Sequence, residues 1–327
     1  MVQAMESTGS QTSGRRFGSP PPEMPIPDRL NLLLVIATFA GALGLLWLAS
    51  QVDAWWAVLA VGLVFSYLLL TNYALLHEAT HDNLNSRPRV NYLLGVITGL
   101  LFPVPFSMIW TTHQGHHLRN RTDFEMFDLY YASDNKLLKY GQWYSILVGL
   151  FWPLVPLGGI LAAFFPGLLK LQAFKRARSS SYVTSDIGDI PVWRVRFEVL
   201  LIVAFYFAIF WLLDLRWQST AVLYACFAFN WSTRQYVGHA FTKRDVIEGA
   251  WNLKHSRLMS FILLHGEWDL NHHRRPDVSW YYLPRLSPQG EERPSYIRHY
   301  LRLWRGPRPN QEPAPESLRD TRLAVRR

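Results

Sequence analysis

Residues 30–49 form a run of twenty without a charged side chain, and a second uncharged run occupies residues 55–76. As helix, twenty residues reach about 30 Å, the thickness of a bilayer's hydrocarbon core. In lipid a segment must satisfy its own backbone hydrogen bonds, so runs of this length have few alternatives to the helix. Only Gln51, Val52 and Asp53 separate the two, which leaves room for a tight reversal and predicts a transmembrane hairpin. Residues 197–213 and 217–229, broken at Asp214, Leu215 and Arg216, predict a second. Charged residues make up 17% of the chain, below the roughly 25% usual in soluble domains.

Two further apolar stretches are interrupted. Residues 93–109 carry Pro103 and Pro105; residues 144–169 carry Pro153, Pro156, Gly158 and Gly159 near the middle. Histidine decides how to read them. Of 11 His, eight fall in three short groups or just before the last. If these groups share one site, they lie on one side of the membrane, and each stretch between them crosses an even number of times. Residues 93–109 are then expected not to span, and residues 144–169 to dip in and return around their Pro/Gly break. Four full crossings remain. The predicted fold is an all-α integral membrane protein of two hairpins, with re-entrant or interfacial helices and a helical cap.

Charge sets the expected orientation. The short hinges carry one basic residue, Arg216, whereas residues 241–327 hold 16 Lys and Arg against 10 Asp and Glu. By the positive-inside rule both termini and the histidines belong in the cytoplasm, with a bacterial inner membrane as the expected setting. The same rule accounts for the net charge of +9, so no nucleic-acid partner is expected. Residues 1–28, with Pro20, Pro21 and Pro22, and residues 306–327 have the composition of disordered tails around a membrane body at 29–305. No small-residue cleavage site follows the first run, so it is expected to stay as a span and not to act as a signal peptide.

The first histidine group is His77 and His81, directly after the second run. A spacing of four puts both imidazoles on one helix face. His113, His116 and His117 follow. On a helix His113 shares a face with both others, while the last two diverge by about 100°, so one segment can feed two metals. The third group is Asp269, His272 and His273, with carboxylate at the first position. His239 stands alone, just past the last apolar run, with Gln235 one turn before it. A single cysteine, Cys226, excludes a disulfide framework and thiolate metal sites. Imidazole suits iron, copper, zinc and nickel alike. Eight histidines and a carboxylate exceed the four ligands of a structural zinc site and suit two metals with open positions.

HxxxH, HxxHH and a final HH doublet, spread over two hairpins and a cap, resemble the membrane-bound fatty acid desaturase and hydroxylase superfamily of non-haem diiron enzymes. The resemblance covers roughly residues 30–300, and residues 276–286 (PDVSWYYLPRL) resemble the stretch after that family's last histidine box. It implies two iron ions held by His77, His81, His113, His116, His117, His239, His272 and His273, with O2 as co-substrate and membrane lipid around the fold. It also implies electrons from a ferredoxin, rubredoxin or cytochrome b5, expected here as a separate protein. Relatives commonly carry His where this chain has Asp269, so Asp269 is either an oxygen ligand or a lost position that His265 or Glu267 compensates. No catalytic residue beyond the metal ligands is expected.

The implied reaction is oxygen-dependent oxidation of an unactivated C–H bond of an acyl chain, with desaturation expected. Other outcomes of the same chemistry are hydroxylation or ketolation of an alkane, terpenoid or carotenoid, and oxidative decarboxylation to a terminal alkene. A metal transporter would be a different class. Transporters place polar ligands near the bilayer midplane, whereas here every clustered histidine flanks a crossing or lies beyond it. Glu78, Asp82, Asp123, Glu125 and Glu267 are candidates to orient the imidazoles. Asp128 reads as a solvated loop charge, and His255 and His299 as surface residues.

Overall fold

The computed structural model describes residues 18–171, 186–188 and 190–318. The outer parts of both expected tails, residues 1–17 and 319–327, lie outside the described residues.

Two long helices open the fold, α1 (Asp28–Gln51) and α2 (Trp55–Thr80). Residues 52–54 reverse the chain between them, and the helices pack along each other. Leu33, Ile36, Leu63 and Val64 point outward on this pair, as side chains facing lipid tails do. The start of α1 is tied to the loop after α2. Asp28 accepts from the Ser86 N–H at 2.7 Å, and buried Asn31 donates to the carbonyl of Leu84 at 2.9 Å.

α3 (Pro88–Leu101) begins with proline at a first-turn position, where no N–H is needed. It meets α4 (Phe106–Arg119) at a bend of 101°. Pro103 and Pro105 fall at that break, where each restricts the residue before it. α5 (Lys136–Leu147) and α6 (Phe151–Phe164) form a second bent pair, at 94°. Their break lies earlier than the Pro/Gly cluster suggested. Gly149 takes φ +95, a conformation that only glycine adopts freely, and Pro153 and Pro156 lie within α6. Pro153 sits in the first helical turn, where proline is tolerated.

α7 (Val192–Leu212) and α8 (Trp217–Ser232) follow. α7 starts ahead of the apolar run, and its Glu198 is buried against α4, accepting from Ser107 N and Oγ at 2.9 and 2.8 Å. α8 packs on α2, which is the central helix of the bundle. At 16 residues α8 reaches about 24 Å, short of the hydrocarbon core. Among the described residues three helices, α1, α2 and α7, have the length and apolar character to cross a membrane, and up to five spans result if each bent pair counts as one.

Beyond α8 the chain forms a cap of turns and short helices: α9 (Arg257–Ile262), α10 (Asp269–Arg274) and α11 (Tyr296–Leu303). Strands β1 (Leu129–Tyr130) and β2 (Arg308–Pro309) pair in parallel. Residues 306–318, whose composition suggested a tail, lie against the fold. Leu318 N–H donates to the Leu118 carbonyl at 2.9 Å, and Glu312 accepts from Arg244 N–H at 2.9 Å. At the other end Met24 packs on Val278, Tyr282 and Leu283.

Candidate metal centre

Four segments carry the histidines to one place beneath the cap. α2 delivers His77 from its last turn and ends on His81, after which Asp82 at φ +59 turns the chain away. α4 delivers His113, His116 and His117 along its last two turns. α10 delivers His272 and His273; hydrogen bonds from Asn252 Nδ2 to Asn271 Oδ1 at 3.0 Å and from Asn271 Nδ2 to the Leu283 carbonyl at 2.9 Å hold it in place. His239 lies in the turns after α8. Backbone bonds from Trp251 N–H to the Gly238 carbonyl and from Leu270 N–H to the Trp251 carbonyl, 2.8 and 3.3 Å, join its segment to α10.

Two groups result. In the first, His77, His81, His113 and His272 each offer a nitrogen, all within 4.8 Å of one another. The Nε2 atoms of His81 and His113 are 2.8 Å apart; His117 Nε2 lies 3.2 Å from that of His113 and 3.1 Å from that of His272. A neutral imidazole has a single N–H, so nitrogens converging this way cannot satisfy one another by hydrogen bonds. On a metal with bonds of about 2.0–2.1 Å, neighbouring nitrogens sit about 3 Å apart, which is the spacing found. Burial, then the charge of neighbouring imidazoles, holds His81, His272 and His273 well below the ordinary histidine pKa. Their lone pairs are therefore available. The Nδ1 atoms of His272 and His273 have no partner among the described residues. The donor set fits a metal better than it fits an apolar core.

The second group is His116, His239 and His273. His116 donates Nδ1–H to Glu125 Oε2 at 2.5 Å, and His239 donates Nδ1–H to the Gly249 carbonyl at 3.1 Å, so each turns Nε2 inward. Burial lowers the pKa of His239, with Asp269 opposing. Asp269 reaches this group: Oδ2 is 3.3 Å from His239 Nε2 and Oδ1 is 3.9 Å from His273 Nε2. Its carboxylate lies against Gly238, where any Cβ would collide with Oδ2. The helix separates neighbours as their spacing predicts. His116 falls in the second group, while His117 turns Nε2 toward His113 and His272 of the first, with its ring tilted 4.3 Å from that of His273.

Outside the imidazoles the carboxylates divide. Glu125 touches His116, and Arg119, 3.5 Å from Glu125 Oε1, pairs with Asp186 at 2.7 Å. Glu78 accepts from Trp280 N–H at 3.0 Å and lies 4.0 Å from His77 Nδ1. Asp123 pairs with Arg244 at 2.7 Å, Asp82 accepts from Asn91 at 3.2 Å, and Glu267 accepts from Ser260 at 2.5 Å. Glu267 and His265 lie 3.8 Å apart and turn to each other rather than to the two groups. Asp128 is not a solvated charge. It is buried, ion-paired with buried Arg121 at 2.6 Å, and accepts from Phe241 N–H at 2.6 Å. His299 is also buried, beside Trp251, and half-buried His255 stacks on Tyr296 at 4.3 Å. Nothing in a single sequence marks Arg121, Asp186 or the Gly249 carbonyl, because each gains its partner only through the fold.

The family model for fatty acid desaturase matches residues 53–307. The chain belongs to the fatty acid desaturase family. No curated protein matches it. It is thus a membrane diiron oxidoreductase of oxygen-dependent desaturase type, acting on acyl chains, and its histidine groups are able to bind metal.

A cavity of about 320 Å³ opens onto the desaturase's two groups. His77, His113, His116, His239, Asp269, His272 and His273 form one wall. Leu70, Ala74, Ile146, Phe151, Leu263 and Leu264 supply an apolar wall. Tyr73, whose hydroxyl donates to Gln235 Oε1 at 3.1 Å, also faces it. Gln235, one turn before His239, thus accepts from Tyr73, and its amide donates to the Trp231 carbonyl at 3.3 Å.

Proposed function

We propose that the protein binds two iron ions and uses them to desaturate a fatty acyl chain. His77, His81, His113, His117 and His272 would hold one iron, and His116, His239, His273 and Asp269 the other. Bound iron would supply reductive activation of O2 and removal of hydrogen from an unactivated C–H bond. The observation that carries this reading is the convergence of imidazoles from positions 77–81, 113–117, 239 and 272–273 into two adjoining groups beside one apolar cavity.

The chain's own residues prepare that chemistry. Glu125 and the Gly249 carbonyl fix the tautomers of His116 and His239, so Nε2 is the coordinating atom in each. The apolar wall takes up the alkyl chain and excludes water, and its rigid helical frame sets which carbons approach the metals.

We take α1, α2, α7 and α8 as two hairpins and both bent pairs as re-entrant, since that keeps every histidine on one face. Basic charge in the cap supports placing that face in the cytoplasm. Electrons would come from a separate acidic donor docking on α11 and the turn after it, where Arg298, Arg302 and Arg305 are exposed without ion-pair partners among the described residues.

Expression with a panel of fatty acids, followed by metal and product analysis, tests the reading. It expects about two iron ions per chain and a product short of two hydrogens. An alcohol or a terminal alkene as the sole product would contradict desaturation.

A further inference from the structure

Among the residues lining the metal cavity, Arg234 is the one permanent cation. It lies just past α8, is half-buried, and its guanidinium carbon stands 5.7 Å from the centroid of the Tyr296 ring. Its Nε donates to Asn230 Oδ1 at 2.9 Å, and Asn230 is anchored in turn on Ser66 Oγ at 3.0 Å. Its Nη1 reaches only the Tyr296 hydroxyl, at 3.4 Å, and Tyr296 lines the same cavity. No carboxylate pairs with Arg234 among the described residues.

The cavity's acids are committed elsewhere. Glu125 serves His116, Asp269 lies against His239, and Glu78 accepts from Trp280. Glu267, bound by Ser260, lies 3.8 Å from Arg293, which stacks on Trp268 at 3.4 Å. A half-buried guanidinium with only neutral partners keeps donors free to take up an anion. Guanidinium also matches the planar fork of a carboxylate. At about 320 Å³ the cavity stands at the small end of ligand sites, with room for an alkyl chain and a compact head.

We propose that Arg234, with the Tyr296 hydroxyl, binds the carboxylate of an unesterified long-chain acid, so the substrate is a free fatty acid rather than a neutral ester. This rests on reading the cavity as the acyl site of the proposed desaturase. Asn230 and Ser66 are positioning residues that aim the guanidinium.

Equilibrium binding to the purified full chain at pH 8, with iron content and thermal unfolding measured in parallel, tests it without requiring turnover. The probes are tritiated hexadecanoate, its methyl ester and hexadecyl phosphate. Arg234→Gln should weaken hexadecanoate binding about ten- to a hundredfold and shift the ester by less than about twofold. Arg234→Lys should recover part of the loss, and Tyr296→Phe should weaken the acid alone by about two- to fivefold. Equal loss for acid and ester, or no loss for either, overturns the proposal. Hexadecyl phosphate binding about tenfold tighter than hexadecanoate would overturn the choice of carboxylate over phosphate. If the acid binds through Arg234 but is never oxidised, the desaturase reading fails while this one stands.

Discussion

His116 and His117 are adjacent in sequence, yet the proposed function gives them to different irons, because successive residues of α4 point about 100° apart. Each substitution should therefore empty a different site. His116→Ala or His117→Ala should lower iron from about two ions per chain toward one, read by metal analysis of purified protein. Full iron content in both variants would contradict the assignment. Glu125 acts one bond further out, since it holds His116 Nδ1. Glu125→Gln should weaken iron binding about ten- to a hundredfold in chelator competition. Asp269 tests whether oxygen completes the second group: Asp269→Ala should lose iron, and Asp269→His should keep it with altered activity. Because Asp269 lies directly over Gly238, Gly238→Ala should reproduce part of the Asp269→Ala defect with the carboxylate still in the chain.

At the scale of elements, a buried ion pair braces the segment bearing His239. Arg121 spans Asp128 at 2.6 Å, the Tyr236 hydroxyl at 2.9 Å and the Thr242 carbonyl at 3.1 Å, while Asp128 also takes Phe241 N–H. Removing one partner strands a charge, so Asp128→Ala should cost about 3–5 kcal/mol in thermal or denaturant unfolding. Unchanged unfolding would mean that solvent reaches the pair. Elements were legible in the sequence where one property repeated over many residues. The uncharged runs marked α1 and α2, and the four-residue spacing of His77 and His81 placed two imidazoles on one face. Features made by distant partners were not. Asp128 looks like a loop charge until Arg121 and Phe241 close on it, and β1 meets β2 across more than 170 residues. The bend falls at Gly149, ahead of α6: Pro153 lies in the first turn, where proline is tolerated, and Pro156 lies inside the helix, so the Pro/Gly cluster at residues 153–159 does not mark the break. The histidine centre was legible for the opposite reason. Metal ligands are few in kind, so their clustering shows before their contacts do.

For the whole molecule, the histidine centre lies between a lipid-facing bundle and a basic cap, so chain and electrons should arrive from opposite sides. The proposed donor face on α11 is exposed, and exposed charges are screened over about 8–10 Å at physiological salt. Reduction by an acidic donor should slow as salt rises, and Arg298→Glu with Arg302→Glu should slow it further without changing iron content or product. A rate indifferent to both would move the docking site elsewhere. The central claim, desaturation at a two-iron centre, is tested most directly by mass analysis of products under ¹⁸O2. Iron-loaded protein, a reducing system and hexadecanoic acid should give an alkene lacking two hydrogens and free of ¹⁸O, and the iron-stripped protein should give none. An ¹⁸O-labelled alcohol, or unchanged acid at full iron loading, would contradict it.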